Sequence, residues 1–289
     1  MKLGIDFARF TWEGGAAALG PTAAEAIGMA DEAGFSTIAA MDHFFQIHMV
    51  GQRDEPMLDG YTFLGFAAGL TKQAKLQLLV TGVTYRHPGL LAKIVTTLDV
   101  LSGGRAILGI GAAWNEEEHL GLGVPFPSTS TRYELLDETL AICTQMWSDN
   151  DGPYTGTHFQ LAETLNSPQV VTSPAPEIMI GGMGPNKTLR LAARHAQAVN
   201  WFPIGHEGFS GLKTTLAGHC ATEGTDVDAI RLTMLAFPPA PGALDDWLED
   251  MAAYRALGVD EIYLAPASAD PRVDIEIYAR DLLPRVSEM

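Results

Sequence analysis

The stretch RHPGLLAKIVTTLDVLSGGRAILGIGAAWNEEEHLGLGVPFP, Arg86 to Pro127, sets a helix, a strand and a glycine-rich loop end to end. The helix is expected over Pro88–Leu101. It opens with proline in its first turn, where the missing N–H is no loss, and it stops at Gly103-Gly104, where the chain can turn left-handed. Ala106–Ile110 is short, apolar and rich in β-formers, as a strand covered on both faces is. Then Gly109, Gly111, Ala112 and Ala113 strip away side-chain bulk, so a flat ligand can approach the backbone, and Trp114 and Asn115 follow at once. A strand whose C-terminal end opens into small residues is where an α/β barrel carries its chemistry.

The same alternation runs outward in both directions. Strands are expected at Leu3–Phe7, Thr37–Met41, Leu76–Val83, Ala106–Ile110, Ile178–Ile180, Ala198–Trp201, Arg231–Ala236 and Glu261–Ala265. Helices are expected near 22–33, 60–72, 88–101, 130–147, 187–195, 207–223, 243–257 and 272–286. Eight such pairs in 289 residues predict one α/β domain over 1–289, a (β/α)8 TIM barrel. An open doubly wound sheet is the rival, and the lack of a GxGxxG turn after Leu3–Phe7 counts against it. Residues 149–176 break the rhythm with Gly152, Pro153, Gly156, Pro168, Pro174 and Pro176. They read as an insertion between the fourth helix and the fifth strand, with a hairpin turning near Thr155-Gly156. Such an insertion either covers the site or is a surface excursion.

The hydrophobic fraction of 47% supports a large core. The net charge of −17, from 35 acids against 18 bases, excludes general binding to nucleic acid or anionic membrane. It also means that an anionic cofactor needs a local site of positive potential. Cys143 and Cys220 form neither a disulfide framework nor a zinc spacing, and no His/carboxylate cluster has metal-ligand spacing. No run approaches ~18 apolar residues, and Met1 leads straight into KLGIDF without a signal-peptide pattern. The expectation is a soluble, cytoplasmic protein.

Several residues fall where a barrel presents chemistry. Asp42 and His43 directly follow the second strand. Histidine titrates near neutrality, so His43 can donate or accept a proton; it reads equally as a structural hydrogen-bonding residue. Asp42 either orients His43 or bonds the backbone at the strand end. Thr81-Gly82-Val83 closes the third strand, and Gly82 marks a bulge or a close backbone approach. Arg86 can meet an anion or make a salt bridge at the helix end. Glu116, Glu117 and Glu118 read as a solvated helix start. Gly181-Gly182-Met183-Gly184-Pro185-Asn186-Lys187 precedes a helix and forms a natural phosphate cradle from N–H groups and one lysine. It nearly matches GxxxxGK[ST], but Asn186 stands where the second glycine belongs. Phe10, Trp12, Phe44, Phe45, Trp114, Trp201 and Phe202, at or past strand ends, can wall an apolar substrate pocket, although each alone reads as core.

Three segments together carry a family likeness: MDHFF (Met41–Phe45), TGVTYRHPGLLAKIVTTLDVLSGGR (Thr81–Arg105) and GIGAAWNEEE (Gly109–Glu118). On these the chain resembles the bacterial luciferase-like flavin and deazaflavin oxidoreductases, most of all the branch that uses coenzyme F420. The likeness runs from Leu3–Phe7 to Glu261–Ala265. It implies an F420-dependent oxidoreductase that passes a hydride between the deazaflavin and a small, largely apolar molecule at the C-terminal rim. It places His43 beside the ring as the catalytic group. Asp42, Thr81, Gly82, Val83, Gly111, Ala112 and Asn115 then line the cofactor, with Gly82–Val83 as a non-proline cis bond beneath it. Gly181, Gly182, Met183, Gly184 and Lys187 take its phosphate. Some deazaflavin members of the family carry a catalytic glutamate in this loop where this chain has Ala112-Ala113, which argues against the sugar-phosphate chemistry of those members. The resemblance also implies a homodimer with the second and third helices at the interface. An FMN-dependent monooxygenase on the same fold is the first alternative, and a non-catalytic cofactor carrier is the second.

Overall fold

The computed structural model describes residues 1–289. Its strands are β1 (Lys2–Phe7), β2 (Thr37–Ala40), β3 (Lys75–Leu78), β4 (Thr81–Gly82), β5 (Ala106–Gly111), β6 (Tyr154–Thr155), β7 (Gln160–Leu161), β8 (Glu177–Gly181), β9 (Ala198–Trp201), β10 (Arg231–Leu235) and β11 (Val259–Leu264). Its helices are α1 (Ala16–Ala33), α2 (Gly60–Leu70), α3 (Pro88–Ser102), α4 (Glu116–Leu122), α5 (Thr129–Met146), α6 (Thr188–His195), α7 (His206–Glu223), α8 (Leu244–Ala256), α9 (Pro271–Ile277) and α10 (Leu283–Ser287). The parallel order β3-β2-β1-β11-β10-β9-β8-β5 closes on itself through β3–β5 pairing, and β4 continues the third strand beside β5. This is the (β/α)8 barrel.

Side-chain parity builds the barrel core. Ala39, Ile107, Met179, Ala198 and Tyr263, from five different strands, meet in one buried layer inside. β1 contributes Gly4 to that face, where a Cβ would lie 2.7 Å from the Tyr263 ring. The alternate residues, among them Leu3, Ile5, Phe7, Ile38, Leu108 and Ile180, join the larger cluster under the helices. The strand period of two then turns Asp6, aligned with Ala39, toward the interior as well.

The third strand departs from the sequence reading. It breaks between β3 and β4, and the non-proline cis bond is Leu79–Val80, not Gly82–Val83. Val80 leans across the neighbouring strands. A Cβ on Gly181 would stand 2.9 Å from it, a Cβ on Gly111 3.1 Å, and a Cβ on Gly109 only 2.0 Å from the Leu78 carbonyl oxygen. These glycines therefore make room for the protein's own third strand, Gly109 for the Leu78 backbone and Gly111 and Gly181 for the Val80 side chain. Gly109→Ala is expected to lower stability by about 3 kcal/mol, since a backbone carbonyl cannot step aside as a side chain can. A melting temperature within about 2 °C of the parent would contradict this packing.

Two further elements differ from expectation. α1 begins at Ala16 and runs through Pro21 instead of starting after it. The expected helix 272–286 is interrupted by a π turn over Tyr278–Leu282 before Pro284, whose ring and missing N–H disrupt the regular ladder. Between α5 and β8, the β6–β7 hairpin is held to α5 by the Glu138 carboxylate, which accepts from the N–H groups of Thr157, His158 and Phe159. Phe159 meets the ring of His87, the N-cap of α3, edge-on at 5.3 Å. The hairpin thus lies along the outer helices. No helix is long and apolar enough to cross a membrane.

Candidate active site

The C-terminal ends of β2, β4, β5 and β8 gather the residues singled out by sequence. Asp42 is buried; its Oδ2 accepts from the Gly82 N–H at 3.0 Å and pairs with Arg86 at 2.7 Å. Burial pushes this carboxyl up, and Arg86 pulls it back only in part. Its other oxygen, Oδ1, has no partner in the protein. Asp42 therefore ties the strand ends together and does not contact His43. Arg86 also reaches Asp59 at 3.2 Å and lies over the Tyr61 ring, so it is engaged at the helix end and not free for an anion. Tyr61 shares a hydrogen bond with buried Thr81 at 2.8 Å.

His43 is half-buried, and its Nδ1 meets Glu118 Oε2 at 2.9 Å. Its Nε2 makes no hydrogen bond within the protein. Glu118 is the largest departure from the sequence reading: Glu116 and Glu117 are solvated, but Glu118 is fully buried. Its Oε1 accepts from the N–H groups of Phe44 and Phe45, and its Oε2 accepts from the Tyr85 hydroxyl. Burial alone would push this carboxyl up; the hydrogen bonds from His43, Tyr85 and Phe45 outweigh it and hold Glu118 below the ordinary carboxylate range. Burial and the neighbouring Glu118 charge conversely keep the Tyr85 phenol protonated. The sequence held one clue. Asn115 and Glu118 have the N-cap-to-N3 spacing of a capping box, and Asn115 Oδ1 does accept from the Glu118 N–H at 3.3 Å. Glu118 turns to the β2 loop instead of back to its own helix.

Trp114 is 49% exposed and stands edge-on to His43 at 5.4 Å, so it flanks the opening. Ala113 beside it has φ 59°, the only non-glycine residue in the left-handed region, which residues with a Cβ seldom enter. Gly111 pairs with Gly82, the Val83 N–H donates to the Gly111 carbonyl at 3.1 Å, and the Ala112 carbonyl accepts from Arg132. Phe44 is half-buried against Tyr85. Three of the expected pocket aromatics belong to the core instead. Phe10 and Trp12 are 2% and 5% exposed, because the chain after β1 folds back onto Phe7 and Phe63. Trp201 is fully buried against Phe209 of α7: Asn200 takes the inward position on β9, so Trp201 faces the helices.

On the other side of the mouth, Gly181 ends β8, and the Gly182 N–H is spent on the Asn200 carbonyl. The N–H groups of Met183, Gly184, Asn186 and Lys187 have no acceptor in the protein, and α6 starts at Thr188. Lys187 Nζ is exposed, 3.1 Å from Ser130 Oγ and over the Tyr133 ring. Free N–H groups beside a lysine at a helix start can receive an anion. No group of three or more His, Cys, Asp or Glu is placed to hold a metal ion.

A half-buried histidine, a loop of unpartnered N–H groups and a broken third strand thus gather at the C-terminal mouth of a parallel barrel, the end where this fold carries its chemistry. The chain belongs to the luciferase-like monooxygenase family, whose model matches residues 7–272. An uncharacterised protein of Mycobacterium tuberculosis is 29% identical over 205 residues, which are 71% of this chain and 68% of that one. The F420-dependent glucose-6-phosphate dehydrogenase of Microbacterium testaceum is 29% identical over 196 residues, 65% of this chain and 55% of that enzyme. Among solved structures, an F420-dependent secondary alcohol dehydrogenase in complex with an F420-acetone adduct matches with a TM-score of 0.83 at 16% identity, covering 99% of this chain and 98% of the other. The oxygenating constituent of 3,6-diketocamphane monooxygenase of Pseudomonas putida, in complex with FMN, matches with a TM-score of 0.74 at 15% identity over 99% of both chains. Both share this chain's fold. Within a family of oxidoreductases with F420-dependent relatives, this chain is an oxidoreductase of the luciferase-like class.

Proposed function

We propose that this protein is an F420-dependent oxidoreductase acting on a small, largely apolar organic molecule. The observation that carries the reading is His43, held through Nδ1 at the barrel mouth with Nε2 unpartnered and Trp114 beside it. The residues present fit the cofactor class. The free N–H groups from Met183 to Lys187 suit its phosphate without net positive charge, which answers the overall charge of −17. The Val80 bulge and the orphaned Asp42 Oδ1 suit a flat polar ring. When bound, F420 supplies two-electron hydride chemistry. The chain's own part is to orient the ring and substrate, limit access of water, and move a proton at His43 Nε2. The dehydrogenase relatives that use F420 support the deazaflavin over a flavin.

Titration with F420 and FMN in parallel tests this. F420 is expected to bind at least tenfold tighter, a difference of about 1.4 kcal/mol. FMN binding tighter by that margin would favour the monooxygenase reading, which the FMN-bound structural match supports. Lys187→Ala is expected to weaken cofactor binding several-fold, on the order of 1 kcal/mol for one exposed cation at an anion. We also propose a homodimer through α2 and α3, which expose Phe66, Leu70, Leu90 and Leu101.

A further inference from the structure

We propose that Glu118 is the positioning residue of this site: its carboxylate fixes the His43 proton on Nδ1 and leaves Nε2 as the atom that exchanges a proton with the substrate. The inference rests on the reading of His43 given above, but its first test does not need the cofactor.

The argument is a count of protons. A carboxylate offers two oxygens and only accepts. Around Glu118, the N–H groups of Phe44 and Phe45 point at Oε1, and Tyr85 and His43 meet Oε2. Tyr85 has one proton, and its only other neighbour of this kind is His119 Nδ1 at 3.4 Å. That nitrogen is already committed. It lies 2.7 Å from the Asn115 carbonyl, which only accepts, so His119 Nδ1 carries a hydrogen. His119 Nε2 is then the acceptor for the Thr84 hydroxyl at 2.6 Å. The Tyr85 proton therefore goes to Glu118. The Nδ1 of His43, 2.9 Å from the same oxygen, must also donate, because a lone pair there would face a buried anion. In this arrangement every donor in the cluster finds an acceptor. The chemical consequence is directional. A neutral His43 presents a lone pair at Nε2 and would take the hydroxyl proton of an alcohol as its carbon-bound hydrogen passes as hydride to the oxidised deazaflavin of the proposed function. In the reverse direction, the doubly protonated ring returns that proton to a carbonyl oxygen.

Glu118 also joins α4 to the β2 loop, so the test must separate posture from stapling. Glu118→Gln keeps an acceptor oxygen for Phe44 and Phe45 but turns an NH2 toward both His43 and Tyr85, so His43 Nδ1 must accept and its proton moves to Nε2, while the Tyr85 hydroxyl loses its acceptor and must turn away. With nitrogen-15 histidine labelling, His43 assigned through His43→Gln, and pH high enough to hold the ring neutral, the cofactor-free wild type is expected to show the Nδ1–H tautomer. Glu118→Gln is expected to show Nε2–H, with kcat reduced by about 10²–10⁴-fold, as a wrong tautomer does elsewhere, and with cofactor Kd within about threefold. An Nε2–H tautomer in the wild type overturns the proposal, whether or not the variant folds. So does a Glu118→Gln variant that turns over within about threefold of wild type. The expected tautomers without F420 binding would leave Glu118 in place and remove the cofactor assignment alone.

Discussion

Asp6→Asn is expected to make the protein more stable than the wild type at pH 8, with an advantage that shrinks steadily as the pH falls to 5. Asp6 sits on the inward face of β1, 1% exposed, with Oδ1 lacking any partner. Burial pushes its carboxyl up from 3.8 to about 7. The folded chain thus holds a proton that the unfolded chain has already released over that interval. By linkage, stability falls as pH rises from about 4 to about 7, and the full loss is on the order of 4 kcal/mol. Asparagine has nearly the same shape but no proton to lose, so this slope should vanish. Asp42, whose carboxyl is also raised, contributes a slope of the same sign that persists in the variant. Asp31, Asp59 and Glu118 are held low and weaken the fold only on further acidification, so the informative window starts near pH 5. Thermal melts of both proteins at pH 5, 6.5 and 8 decide the matter. Parallel profiles would mean that water or a reorganised barrel solvates Asp6.

The barrel was legible because its strands are written in apolar runs that parity and length resolve. Ala198–Trp201 matches the structure to the residue, and Arg231–Ala236 to within one. What the runs do not encode is which way a side chain points once a strand has ended. Its position at a strand end points Trp201 to the pocket, but one residue of parity puts it under α7. The third strand shows a second limit. TGVT advertises its glycine, whereas the cis bond falls earlier, in the ordinary-looking pair Leu79–Val80. Glu118 shows a third. In α4, Leu120 and Leu122 are 70% and 46% exposed while Glu118 and His119 are buried, the reverse of an ordinary amphipathic helix. A run of three acids reads as a solvated turn because nothing local says that two backbone N–H groups, a phenol and an imidazole wait for the third of them. That inversion marks a buried polar cluster whose groups satisfy one another, which is what lets them stay buried.

His43→Ala is expected to lower kcat by about 10²–10⁴-fold while leaving cofactor affinity within about threefold. The range is that of general acid–base catalysis, about 3–5 kcal/mol in the barrier. The geometry argues that the loss should fall on turnover and not on binding. The imidazole is anchored to Glu118 on one side, and the free N–H groups suited to an anion lie in the loop after β8, built from different residues. Alanine also leaves Glu118 with three of its four donors, the N–H groups of Phe44 and Phe45 and the Tyr85 hydroxyl, so the loop keeps its attachment to α4. The comparison should pair steady-state rates with single-turnover bleaching or recovery of the deazaflavin absorbance, which separates the chemical step from product release. A variant that binds F420 normally and turns over at the parental rate would take His43 out of the proton path. If wild type and variant alike bind tightly and neither turns over any tested alcohol, ketone or activated alkene, the carrier reading gains the ground that the enzyme loses.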